Sequence, residues 1–322
     1  MSVASTASHV IALSGGVGGA KLALGLSRCV EACDLTVVAN TADDFEHLGL
    51  YISPDVDTVL YTLAGINNQE QGWGLADESW QCMNMLEKLG GDTWFRLGDR
   101  DMALHLLRTQ LLRQPAATLT DVTEYLRQAL SVAPTILPMC DQKIATIVQT
   151  RQGEMPFQHY FVRERCEPVV TGFRFAGIEQ ARVNPRLVER CAATATRCVV
   201  LCPSNPYVSL APMLAIAGMR EFLLQQAAPV VAVSPIVGGT ALKGPAAKMM
   251  RELDVTPSVL SVAQMYRGFV DGLVIDHADE ASADAISALG ITPLVTATVM
   301  RTLDDREQLA RDVLNFAKRL AA

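Results

Sequence analysis

The stretch IALSGGVGGAKLALGLSR, residues 11–28, runs from an apolar segment through four glycines (15, 16, 18 and 19) into a helical pattern. With HVIALSGG before it and the buried-type segment LTVVAN (35–40) after it, it reads as a strand–helix–strand unit, and such a unit implies a parallel sheet. Glycines let an anion approach bare backbone, and the helix that follows points its first N–H groups and the positive end of its dipole at that anion. Gly15, Gly16, Val17, Gly18 and Gly19 are therefore candidates to hold phosphate, with a structural tight turn as the alternative. The loop completes neither familiar phosphate motif. GxGxxG would need glycine where Lys21 stands, and GxxxxGK[ST] would need glycine at Ala20 and a hydroxyl at Leu22.

Working outward, strand–helix alternation resumes at about residue 183. A helix over 184–195, the strand RCVVLC, a helix over 208–225, the strand APVVAVS, helices around 245–253 and 257–267, the strand VDGLVID, a helix over 279–289, the strand ITPLVTA and a helix over 304–320 follow in turn. The pattern is that of a doubly wound α/β fold, a mostly parallel Rossmann-like sheet. Between about 66 and 182 it changes to helices (76–90, 99–113, 119–130) followed by alternating segments KIATIVQT and FQHYFVRER. These read as an inserted α+β cap. The expected organisation is a core of 1–65 plus 183–322 and a cap of 66–182. Ligands of open parallel sheets lie beyond the carboxyl ends of the strands, so the loops there are the ones to search.

The second strand ends in Asn40-Thr41-Ala42-Asp43-Asp44, and Pro54-Asp55-Val56-Asp57-Thr58 opens a helix shortly after. Asp43, Asp44, Asp55 and Asp57 beside a glycine loop suit a Mg²⁺ ion, which takes hard oxygen ligands and shares itself with substrate phosphates; helix capping by Asp55 or Asp57 is the alternative. In Gly98-Asp99-Arg100-Asp101, Arg100 has the fork geometry to clamp a phosphate or carboxylate, with Asp99 and Asp101 orienting it, or the turn is a surface cap. His105, amid leucines, reads as a core or boundary residue. Ser204 and Asn205 in PSNPYVS, and Ser234, Gly238 and Lys243 in SPIVGG and KGP, put polar groups, glycines and a cation at the same sheet edge.

Other classes are excluded or weakened. The net charge of −7 leaves no broad cationic surface for nucleic acid or anionic membrane. No apolar run reaches the roughly 20 residues that span a bilayer, and MSVASTASHV lacks the plan of a secretion signal, so a cytosolic protein is expected. The eight cysteines form no CxxC pair and read as core thiols; Cys198 and Cys202 share one face of a strand. GxSxG, HExxH and the acidic ribose ligand of ordinary dehydrogenases are all missing.

Taken in order and spacing, LSGGVGGAK, NTADDFEHLGLYISPDVDTVLYTLAG, GWGLADES, WFRLGDRD, PSNPYVS and SPIVGG followed by KGP resemble the 2-phospho-L-lactate transferase family of coenzyme F420 biosynthesis, also met as phosphoenolpyruvate transferase. The resemblance spans about 9–300. It implies transfer of a phospho-three-carbon acid (phospholactate, phosphoenolpyruvate or 3-phosphoglycerate) from a guanosine diphosphate-linked donor to the ribityl hydroxyl of the deazaflavin Fo, with release of GMP. The donor would be lactyl-, enolpyruvyl- or glyceryl-diphosphoguanosine. Mg²⁺ held by aspartates among Asp43, Asp44, Asp55 and Asp57, and a homodimer, are implied too. Phosphoryl transfer needs positioning and charge stabilisation more than a nucleophile, which fits the absent nucleophile motifs. On this reading the glycine loop, Ser204 and Asn205 surround donor phosphates or Fo, and Arg100 or Lys243 takes the anionic groups. One of Asp43, Asp55 or Asp57 is a candidate to accept the ribityl proton. Trp73, Trp94 and Tyr61 are candidates to stack on deazaflavin or guanine, or are core. The rival reading is a nucleotide-sugar-binding regulator resembling the gluconeogenesis factors; the cap signatures and PDVDT speak for the transferase.

Overall fold

The computed structural model describes residues 8–322, so the reading of the extreme N-terminus falls largely outside the described residues. Seven strands form the central sheet: β1 (His9–Ser14), β2 (Leu35–Ala39), β3 (Thr135–Pro138), β4 (Thr196–Leu201), β5 (Val230–Val233), β6 (Gly272–Ile275) and β7 (Thr292–Val295). Their spatial order is β7-β6-β5-β4-β1-β2-β3, and every neighbouring pair is parallel. The order reverses between β1 and β4. That junction is the switch point at which a doubly wound sheet opens a crevice.

Strand residues alternate between two apolar layers, as the period of two requires. Ile11, Leu13, Val199, Leu201 and Leu273 pack on one face; Val10, Ala12, Cys198, Val200 and Val274 pack on the other. Cys198 and Cys202 share the second layer, buried and unpaired, as their spacing implied. The second layer is covered by α1 (Gly16–Cys29), α2 (Pro54–Ala64) and the C-terminal helix Leu303–Leu320. No helix is long and apolar enough to cross a membrane among the described residues.

The stretch 66–182 is not one separate piece. Its segment Thr135–Pro138 is the edge strand β3 of the central sheet, and helix Leu119–Ala129 packs beside it. What stands apart is a three-stranded antiparallel sheet of Gly153–Pro156, Ala145–Thr150 and Val170–Ala176. FQHYFVRER, expected to be extended, instead contains a wide helical turn, His159–Arg163. Phe157 and Phe161, four residues apart, stack there with ring centroids 5.4 Å apart, a pairing that a strand would also have placed on one face. The helix expected over 208–225 is broken into Pro206–Leu210, Ala211–Ala215 and Met219–Leu224, because Gly218 adopts φ 81° between the last two.

Candidate functional site

The glycine loop sits on the switch point because its glycines allow two backbones to touch. Gly16 adopts φ 62°, and a Cβ on Gly18 would collide with the Pro203 carbonyl oxygen of the loop after β4. The two loops are stitched by the Gly15 N–H, which donates to Ser204 Oγ at 3.0 Å. Between them opens a cleft of about 860 Å³, lined by the ends of β1, β4 and β5, the start of α2 and the aromatic turn at 157–162. That volume falls in the usual range for small-molecule sites.

The four aspartates at the second loop and α2 have different jobs. Asp55 accepts the Gly16 N–H at 2.7 Å and Asn40 Nδ2 at 2.9 Å, tying the glycine loop to α2. Burial raises its carboxyl to about 6, with those two donors opposing the rise. Asp43 is buried beside it, and its Oδ1 has no partner. Burial pushes Asp43 well above the ordinary carboxylate value, and the charges of Asp55 and Asp44 push it further. Asp44 instead turns away from the cleft, accepting Ser53 Oγ at 2.8 Å and the Tyr51 hydroxyl at 2.9 Å. Asp57 is bound in two places by the guanidinium of Arg108, which is wholly buried. Of the four, Asp43 is the one with a buried carboxylate oxygen left unpartnered, and the charge of Asp55 beside it disfavours its ionisation. No group of three metal-binding side chains gathers among the described residues. Two carboxylates with the other positions left to substrate oxygens is the arrangement Mg²⁺ commonly takes.

A second polar cluster lines the same floor. Arg108 lies on α3 (Asp99–Leu112) with His105 one turn earlier and Asp101 a turn before that, so the three share a face. Arg108 donates to His105 Nδ1 at 3.2 Å, His105 Nε2 lies 3.2 Å from Asp101 Oδ1, and the Tyr61 hydroxyl donates to the same oxygen. Cations reach the cleft from another side. Lys21 Nζ donates to the Met300 carbonyl at 3.0 Å, and burial together with Arg306 and Lys243 lowers its pKa. Lys243 Nζ donates to the Gln71 carbonyl at 2.7 Å. Trp94, Phe95, Phe157 and Phe161 make an aromatic wall, and Trp94 meets His159 edge-on at 4.7 Å.

The cleft thus brings together Gly15, Gly16, Val17, Gly18, Asp43, Asp55, Asp57, Asp101, Ser204, Asn205, Ser234 and Lys243 from seven separate segments, with Trp73, Trp94 and Tyr61. Gly19 and Asn40 lie just behind the lining, Gly19 close to Ser14 and Ser204, Asn40 holding Asp55. Besides Asp44, three expected residues stand outside it. Asp99 accepts the Gln81 and Cys82 N–H groups at 3.0 and 3.1 Å and so caps helix Gln81–Lys88. Arg100, exposed, donates to the Ala76 carbonyl at 2.7 Å and does not line the cleft. The Gly238 N–H donates to Asp279 at 3.0 Å. The sequence reading missed Arg96, which lines the cleft, and Arg108 with its partner His105. The i, i+4, i+7 spacing of Asp101, His105 and Arg108 was the available signal.

A Rossmann-like α/β protein with a glycine loop at its switch point and one cleft combining carboxylates, cations and aromatic rings is the class that fold and site define. Within that class, the model of the family described as 2-phospho-L-lactate transferase CofD matches residues 10–316. The chain is 39% identical to a 2-phospho-L-lactate transferase of Methanopyrus kandleri over 96% of this chain and 97% of that one. It is 37% identical to a phosphoenolpyruvate transferase of Streptomyces griseus, over 98% of this chain and all of that one. A solved structure of a UPF0052 family member from Bacillus halodurans shares the fold with a TM-score of 0.61 at 16% identity, covering 96% of this chain and 99% of that one. The chain belongs to the 2-phospho-L-lactate transferase family and is a transferase of that type; the regulatory reading is not favoured.

Proposed function

We propose that this protein moves a phospho-three-carbon acid from a guanosine diphosphate-linked donor to the ribityl hydroxyl of Fo, releasing GMP. The observation that carries this reading is the cleft that sets a glycine loop, the Asp43 carboxylate with its unpartnered oxygen and the neighbouring Asp55 beside an aromatic wall. The diphosphate fits the switch point, where the N-terminus of α1 meets the Ser204–Asn205 turn and Lys21 and Lys243 supply positive charge. A flat tricycle fits against Trp94, Phe157 and Phe161, whose faces and edges offer stacking and edge contacts. Asp43 and Asp55 would hold Mg²⁺. Bound there, the ion would neutralise charge on the phosphoryl oxygens.

The protein's own part is to align donor and acceptor and to exclude water. Asp55 fixes the glycine loop against α2, so the phosphates and the acceptor hydroxyl are referred to one rigid frame. Asp43, whose Oδ1 has no hydrogen-bond partner while both Asp55 oxygens are engaged, is the candidate to accept the ribityl proton. Asp57, engaged by Arg108, supplies fixed negative charge rather than proton transfer. Titration of Fo fluorescence with and without GDP tests the reading: Fo association strengthened by GDP is expected, and a protein that binds a UDP-sugar and ignores Fo would overturn it.

A further inference from the structure

The polar cluster on α3 has an order that the transfer reaction alone does not require. A guanidinium has only donors, so the His105 Nδ1 that faces Arg108 at 3.2 Å has to be the bare, accepting nitrogen. The ring proton then sits on Nε2 and points at Asp101 Oδ1, 3.2 Å away. The Tyr61 hydroxyl donates to that oxygen too, which leaves Asp101 Oδ2 without a protein partner among the described residues, on a side chain that lines the cleft. We propose that Arg108 and His105 are positioning residues that fix Asp101 as a one-sided hydrogen-bond acceptor for a hydroxyl of the acceptor substrate.

The inference rests on the functional reading above in naming that substrate. An ionised carboxylate with one saturated oxygen repels the anionic donor and selects a neutral group bearing O–H or N–H. Burial works to raise the Asp101 carboxyl, but the His105 and Tyr61 hydrogen bonds outweigh it and hold the group below the usual carboxylate range. Asp101 is thereby a poor proton acceptor and a good anchor. Arg108 reaches neither the cleft lining nor Asp101 directly, so it acts through the tautomer of His105.

Two substitutions separate the parts. His105→Gln places an amide N–H near the position of Nε2 and keeps the donor to Asp101; His105→Asn keeps polar atoms only near Nδ1 and loses it. The loss of one hydrogen bond to a charged group predicts that His105→Asn raises KM for Fo by about 10- to 100-fold, with kcat and the donor KM moving much less. His105→Gln should return KM for Fo to within about threefold of the wild type on the same scale. Side-chain ¹⁵N NMR of the full-length wild type should show His105 protonated at Nε2 and bare at Nδ1, and Arg108→Met should erase that preference. A wild-type ring carrying its proton on Nδ1, or a KM for Fo unmoved by His105→Asn, would overturn the inference. Wild-type protein that makes no product from Fo would instead overturn the functional reading, and the wild-type ring spectrum would then decide whether the tautomer lock exists.

Discussion

Gly18→Ala isolates the contact on which the site's geometry depends. Gly18 lies in the first turn of α1, and a Cβ there would fall inside contact distance of the Pro203 carbonyl oxygen. The obstructing atom is backbone, so no rotamer relieves the clash, and the glycine loop and the loop after β4 must part by about 1 Å to restore ordinary contact. Overpacking of this kind costs about 1–3 kcal/mol, seen as a drop of several degrees in Tm. The same shift moves the glycine loop relative to the aromatic wall, and a displacement of that size lowers kcat by on the order of 100-fold. Gly65→Ala is the control. Gly65 closes α2 in the left-handed region at φ 71°, so alanine costs about 1 kcal/mol there without touching the cleft. Differential scanning calorimetry paired with steady-state kinetics distinguishes them. The reasoning fails if Gly18→Ala keeps wild-type kcat, or if Gly65→Ala loses as much kcat as Gly18→Ala.

Acidification should unfold the protein partly through His9. Burial, with Arg190 next, lowers its pKa from 6.5 to about 4, so between those values the unfolded chain binds a proton that the native state refuses. Stability is therefore lost as pH falls from about 6.5 to about 4, by about 3 kcal/mol, and His9→Gln should flatten that part of a urea-midpoint-against-pH curve. Asp57→Asn leaves the buried Arg108 charge uncompensated and should cost about 3–5 kcal/mol in denaturant titrations, whereas a neutral outcome would mean the pair is not desolvated. Arg100→Ala should change stability by no more than about 0.5 kcal/mol and leave kcat/KM for Fo unchanged, because its guanidinium faces away from the cleft; a large loss would restore it as an anion clamp.

The parallel core was legible because its signals are local. Apolar strands such as CVVL and VVAV, each followed by a glycine- or proline-marked turn, fix both the element and the edge at which ligands collect. The placement of Asp43 and Asp55 at the cleft was legible because both lie on segments that follow or adjoin the strand ends. What escaped depended on partners distant in sequence. Asp44 and Asp43 are adjacent, yet Ser53 and Tyr51 capture one and leave the other with a free oxygen. Arg100 and Asp101 are neighbours on a helix and so point about 100° apart, which sends one to the Ala76 carbonyl and the other to the cleft. Thr135–Pro138 is only four residues long, and its place beside β2 follows from sheet pairing rather than from any pattern of its own.

The most direct test of the account is mass spectrometry of a reaction holding this protein, Mg²⁺, Fo and a guanosine diphosphate-linked three-carbon acid. The account predicts a product whose mass equals Fo plus the phosphorylated acid less water, formed in equal amount with GMP and lost in Asp43→Asn. GMP released with Fo left unmodified, or full product from Asp43→Asn, would contradict it.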